Sequence, residues 1–349
     1  MIANESAQID ETGKIPGRVV MKRSVPAVCL LFVCTLALLV VPRGAAAQVA
    51  RFEYIAFPSV TMKTSDFLTG KKEGTPVILA GILRLPRAAG TKMPAVILLH
   101  GSGGPGGNGS PPDEWSREFN AMGIATFAID AFSGRGLVST VADQDSFPNV
   151  NYIGDAYRAL EALANHRLID PTRIAAMGFS LGARAAVFSG MKRFQQMHGP
   201  RNGVEFAAYI GMYTPCNTAY RDLEKLADKP FRLFHGLADD YVLAGPCREL
   251  VDRLAKAGRD IQLTTYEGAH HNFDSLTPRE ITASTGQTTR NCRIAEDDKG
   301  VLINAATKAS FTMKDPCVEF GPHFGYNEAA TAKAKVAIRE FLTEVFKLK

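Results

Sequence analysis

The segment Gly178-Phe179-Ser180-Leu181-Gly182 has the G-x-S-x-G spacing of a serine set on a sharp strand-to-helix turn. The flanking glycines let the backbone turn without a Cβ clash, and the helix that follows adds positive potential at its N-terminus. A serine hydroxyl is a weak nucleophile until a base takes its proton. The chain has seven histidines, and His270 and His271 stand together in E-G-A-H-H-N-F just past the run Ile261–Tyr266. Asp239 and Asp240, closing F-R-L-F-H-G-L-A-D-D, offer a carboxylate to orient such a base. The chain order is nucleophile, acid, base, and the chemistry these side chains support is acyl transfer from a carbonyl compound to water. Taken singly, each is equally well a capping serine or a solvated loop residue. At three successive strand ends they point to one site.

A second group follows the strand-like run Ala95–Leu99. His100-Gly101-Ser102-Gly103-Gly104 begins a glycine-rich turn in which Gly101, Gly103 and Gly106 also satisfy G-x-G-x-x-G. Asp130 ends the next strand, where a ribose-binding acid would stand. Pro105, Pro111 and Pro112 delay the following helix, whereas a dinucleotide fold starts its helix within the glycines, so the dinucleotide reading is set aside. In Asp130–Gly136, Arg135 is a candidate partner for a substrate carboxylate, or a structural residue holding Asp130 and the loop. Trp115 reads as helix packing. No His/Cys/Asp cluster has metal-ligand spacing, so neither a metal nor an organic cofactor is expected.

These residues need strands to carry them. Val77–Leu85, Ala95–Leu99, Ile124–Ile129, Arg173–Gly178, Phe206–Met212, Phe231–Phe234 and Ile261–Tyr266 are aliphatic or β-branched runs of strand length. Between them, helices are expected over Asp113–Met122, 151–166, Ser180–Ser189, Tyr220–Ala227 and 246–257, with Gly258 at a C′ position. A last helix carries Ala334, Ile338, Phe341, Leu342 and Val345. Continuous apolar strands alternating with helices predict a mainly parallel α/β sheet covered on both faces. Residues 275–330 lack clear periodicity and read as an excursion between the last strand and the last helix, expected to lie near the pocket entrance.

The 349 residues are 46% hydrophobic and 21% charged, with a scattered net charge of +5. This excludes a disordered or coiled-coil protein and gives no basic stripe for nucleic acid. Val25–Val41, preceded by Lys22-Arg23 and followed by Ala45-Ala46-Ala47, has the form of a signal peptide cleaved after Ala47. Residues 1–20 precede it, and Met21 is a candidate true start. On this reading residues 21–47 are a leader, 48–349 are one domain in the periplasm or outside the cell, and no membrane anchor remains after cleavage. Cys29 and Cys34 leave with the leader. Cys216, Cys247, Cys292 and Cys317 remain in an oxidising compartment, which suggests two disulfides.

In their order along the chain, the His100–Gly104 turn, Asp130 with Arg135-Gly136, the elbow at Ser180, the Gly236–Asp239 loop and Ala269–Phe273 resemble the dienelactone hydrolase family of the α/β-hydrolases. The likeness covers roughly residues 75–275 and the last helix. It implies an α/β-hydrolase fold in which Asp239 rather than Asp240 is the acid and His271 rather than His270 is the base. It also implies an oxyanion hole made by the backbone N–H of Leu181 and by the 101–103 turn, through Ser102 first and Gly103 second, with His100 a structural anchor. The namesake enzymes use a cysteine where this chain has Ser180, which directs the reading away from the namesake substrate to the serine-bearing relatives, whose substrates are diverse; for this chain a small-molecule ester or lactone is expected. In the strand order so implied, the strands before Cys216 and Cys247 are neighbours, giving Cys216–Cys247 and, by elimination, Cys292–Cys317. The alternatives are a prolyl-oligopeptidase-like serine peptidase, opposed by the lack of a propeller-length N-terminal region, and a catalytically idle hydrolase fold used for binding.

Overall fold

Two runs of the chain have no solvent face. Met93–Leu99 and Ala208–Met212 are buried at every position, so the sheet that holds them must be covered on both sides. A computed structural model describes residues 49–87, 92–107, 111–277 and 280–348; the leader expected over residues 1–47 lies outside them. The strands are β1 (Val49–Thr61), β2 (Thr75–Pro86), β3 (Met93–Leu99), β4 (Ala125–Asp130), β5 (Ile169–Phe179), β6 (Ala208–Met212), the short β7 (Thr218–Ala219), β8 (Phe231–Gly236) and β9 (Ile261–Tyr266). Eight of them form one sheet in the order β1-β2-β4-β3-β5-β6-β8-β9. The β1–β2 and β2–β4 pairs are antiparallel, and every pair from β4 to β9 is parallel.

The helices are α1 (Thr64–Leu68), α2 (Pro111–Ala121), α3 (Asn151–Ala164), α4 (Leu181–Phe188), α5 (Lys192–His198), α6 (Ala244–Lys256) and α7 (Glu328–Phe346). The two-residue period of β3 divides them between two cores. Ile97 and Leu99 pack with Ile153 and Leu160 of α3, Val187 of α4 and Leu254 of α6. Val96 and Leu98 pack with Trp115 and Phe119 of α2 and Ile338 and Leu342 of α7. Among the described residues no helix is long and apolar enough to cross a membrane.

The helix expected over Tyr220–Ala227 is instead a series of turns. Tertiary contacts override the local pattern: Tyr220 packs on Phe188 and Phe194, Asp222 has φ 59°, and backbone bonds join Lys225 to Lys192 and Ala227 to Gly190. Strand β1 and helices α1 and α5 were not among the sequence expectations.

The described part of residues 275–330 is built from short strand pairs and one three-stranded fragment. Strand β10 (Ile281–Thr282) pairs with β15 (His323–Phe324), and β11 (Gln287–Thr288) with β14 (Glu319–Phe320). Strand β12 (Ile294–Glu296) lies between β13 (Leu302–Asn304) and β7. A buried acid fastens this segment to the body: Glu296 accepts from both terminal nitrogens of Arg193 and from Nε of Arg221. Two disulfides, Cys216–Cys247 (S–S 1.96 Å) and Cys292–Cys317 (2.03 Å), tie the loops at this edge.

Candidate active site

The parallel strands end on one edge, and three of those ends bring the chemistry together. At the end of β5, Ser180 has φ 54° and ψ −113°, a conformation that costs a non-glycine residue of the order of 1–3 kcal/mol and persists only when its surroundings impose it. The surroundings here are glycines. A Cβ on Gly178 would lie 2.0 Å from the Gly182 carbonyl oxygen, and one on Gly182 would lie 2.0 Å from that of Leu99. The strand, the turn and α4 can therefore approach this closely only without side chains at those two positions. The Ser180 N–H donates to Met212 O, and its carbonyl accepts from Arg184 N, which starts α4.

The loop after β8 carries Asp239, and the loop after β9 carries His271. They are joined directly, Leu237 N–H donating to Tyr266 O and Ala238 N–H to Ala269 O. Asp239 Oδ1 accepts from the N–H groups of Tyr241 and Val242, which fixes the carboxylate. Its Oδ2 lies 2.8 Å from His271 Nδ1, and His271 Nε2 lies 3.0 Å from Ser180 Oγ. Nδ1–H facing the carboxylate leaves Nε2 to accept from the hydroxyl. Burial alone would raise the Asp239 carboxyl, but the rings of His271 and His235 outweigh it and hold that acid well below the usual carboxylate range. His271 is itself clamped between Tyr213 and Tyr241, whose ring centroids lie 4.6 Å and 4.8 Å away.

The neighbouring candidates have other partners. Asp240 turns away from His271 and accepts from the backbone N–H and Nδ1 of His323 and from Arg290. His270 faces Glu280 at 3.3 Å. His100 is buried; its Nδ1–H donates to Gly101 O and its Nε2 accepts from Ala131 N–H, so the neutral ring pins the turn, and burial lowers its pKa to about 4.

Arg135 is not among the residues that line the cleft holding Ser180 and His271. Its side chain is 6% exposed, paired through both terminal nitrogens with buried Asp155 and bonded to Thr61, Ala131 and Val60. It does not hold Asp130 either: that carboxylate accepts from the N–H groups of Phe132 and Ser133. Two oxygens of Asp155, fully buried on α3, satisfy the planar guanidinium better than the loop carboxylate can.

Leu181 opens α4 directly after Ser180. Ser102 is held by its carbonyl, which accepts from Thr140 N–H and Ser139 Oγ. Among the described residues the N–H groups of Leu181, Ser102 and Gly103 donate to no backbone carbonyl, and Ser102 and Gly103 line the same cleft as Ser180 and His271. That cleft is partly open to solvent and has a volume of about 100 Å³. The larger cavity, about 740 Å³, lies by Phe57, Phe67, Arg158 and Met197 and contains none of Ser180, Asp239 and His271; the convergence of Ser180, His271 and these N–H groups makes the smaller cleft the candidate site.

The sequence reading missed what supports His271. Asp274 is buried, accepting from Trp115 Nε1 at 2.7 Å and from Tyr213 Oη at 2.9 Å. The same tyrosine packs on His271. A signal was available: an aspartate three residues past His271, directly after Phe273.

Comparison with known proteins agrees with this architecture. Structures similar to this chain include a dienelactone hydrolase-like promiscuous phosphotriesterase, P91, from metagenomic libraries, at 15% identity and TM-score 0.53, covering 84% of this chain and 99% of that one. A protein described as m3DLH matches at 18% identity and TM-score 0.53, covering 86% and 100%. Esterase 2 of Thermogutta terrifontis, phosphorylated by paraoxon, matches at 17% identity and TM-score 0.49, covering 86% and 96%. At these identities the first two likenesses establish the α/β-hydrolase fold. The model of the dienelactone hydrolase family matches residues 79–346, and over that span, which runs from β2 to the end of α7, this chain belongs to the dienelactone hydrolase family.

Proposed function

We propose that this protein is an exported serine hydrolase that cleaves an ester or lactone bond through an acyl-enzyme. The observation that carries the reading is the continuous contact from Ser180 Oγ to His271 Nε2 (3.0 Å) and from His271 Nδ1 to Asp239 Oδ2 (2.8 Å). Ser180 Oγ attacks the carbonyl carbon while its proton passes to His271 Nε2, and Asp239 stabilises the imidazolium so formed. The oxyanion is received by the N–H groups of Leu181 and of Ser102 or Gly103. On collapse, the C–O bond to the alcohol breaks and His271 returns the proton to the departing oxygen. Water, deprotonated by the same ring, then attacks the acyl carbon; the bond to Ser180 Oγ breaks, His271 returns the proton to that oxygen, and the acid is released.

Two disulfides support export to an oxidising compartment. The test is a fluorophosphonate label and a p-nitrophenyl ester assay on wild type and Ser180→Ala. A folded Ser180→Ala protein that keeps near-normal turnover sinks the reading, as does a wild type that neither labels nor turns over any ester.

A further inference from the structure

The walls of the cleft limit what can occupy it. Besides Gly101–Gly104 they include Val141, Tyr241, Ala283 and Phe324, the last two supplied by residues 275–330. The volume, about 100 Å³, is well under the roughly 300–1,000 Å³ of pockets that enclose drug-sized ligands. An ester presents two branches at its carbonyl carbon, and this space holds only one small branch. The alcohol branch must reach solvent, because it leaves before water enters. The acyl branch stays bonded to Ser180 through both half-reactions, so it is the one the walls must contain.

Charge restricts it further. Among the described residues no Lys, Arg, Asp or Glu lines the cleft. Of its ionisable side chains, His100 is held neutral, with a pKa lowered to about 4 by burial, and burial pushes Tyr241 up to about 12. Behind His271 stands the Asp239 carboxylate, which disfavours a second negative charge nearby. Arg135, one of whose two candidate roles was to receive a substrate carboxylate, is committed to Asp155. The backbone that carries the wall residue Phe324 is tied to that of His271: the two form a bridge, and Gly325 N–H donates to His271 O at 3.0 Å.

We infer that the substrates are uncharged esters with a short acyl group, about as long as butanoyl at most, and that Phe324 and Ala283 of the 275–330 segment set this limit. The inference rests on the ester-hydrolase reading and narrows it. It is tested with p-nitrophenyl acetate, butanoate, pentanoate and octanoate, and with the mono-p-nitrophenyl ester of succinate as the anionic counterpart of the pentanoate. In wild type, kcat/KM should fall at least about tenfold from butanoate to octanoate, and about tenfold from pentanoate to the succinate ester, the scale on which a pocket discriminates by size and unpaired charge. Phe324→Ala should raise the octanoate-to-acetate ratio about tenfold, and Ala283→Leu should lower the butanoate-to-acetate ratio. Octanoate hydrolysed as well as butanoate by wild type, the succinate ester hydrolysed as well as the pentanoate, or ratios unmoved in folded variants would overturn the size-and-charge limit while leaving the hydrolase reading intact. No turnover of any ester overturns both.

Discussion

At the scale of single residues, the paired candidates separate by what each touches. Asp239 reaches His271 and two backbone N–H groups, whereas Asp240 serves His323 and Arg290. Asp239→Asn should therefore lower kcat by about 10⁴-fold, as loss of the orienting acid does elsewhere, and Asp240→Asn by less than about tenfold, because it alters a tie outside the proton path. Steady-state kinetics on the two variants decide it; equal losses would mean the acid is misassigned. His100 gives a pH prediction. Its folded pKa is about 4, below an unfolded value near 6.5. Between these the unfolded chain binds the proton and the folded one does not, so the stability is fully present above about pH 6.5 and is lost as pH falls toward 4. The loss is on the order of 3 kcal/mol. Urea unfolding across this range should show it, and His100→Asn, which keeps a donor toward Gly101, should show a shallower decline.

At the scale of elements, the nucleophile turn depends on the contact between β3, β5 and α4. A methyl at residue 182 would enter the Leu99 carbonyl, so Gly182→Ala should cost about 1–3 kcal/mol through overpacking and lower kcat as the turn shifts. Thermal unfolding and esterase assay on the same sample check it. The Cys216–Cys247 bridge spans 31 residues and encloses the acid loop. Its removal as a double serine variant should reduce stability by roughly 3–4 kcal/mol in the chain-entropy picture. An unchanged melting temperature would mean that hydrogen bonds alone fix the loop.

At the scale of the whole molecule, the 275–330 segment returns across the strand ends and contributes to the cleft. It is fastened at points far apart in sequence: Glu296 on Arg193 and Arg221, and Arg290 between Asp240 and Glu319. Glu296 is buried, and a buried charge pair broken on one side costs about 3–5 kcal/mol. Glu296→Leu should leave Arg193 uncompensated, loosen this segment, and speed its proteolysis before that of the sheet. Limited proteolysis with mass mapping would show cleavage first within 297–318 if the segment detaches as a unit, and simultaneous loss of the whole chain if it does not.

What the amino-acid order determined by itself was the local part of this arrangement. Strand-length apolar runs read as buried strands because they admit no polar face, and the elbow at Ser180 was legible because its glycines are required by the turn itself. The choice of Asp239 over Asp240 and His271 over His270 came from a family pattern, since adjacent identical residues differ only in direction. The fate of Arg135 depended on Asp155, which stands 20 residues further along the chain on another element, and no local rule pairs them. Tyr220–Ala227 lost its helix to contacts with α4, α5 and Glu296. The order of residues 275–330 was invisible because its strands are two or three residues long and are stabilised by partners far apart in sequence. Periodicity reports on one element and its own burial; the tertiary structure alone decides which distant charge or wall that element meets.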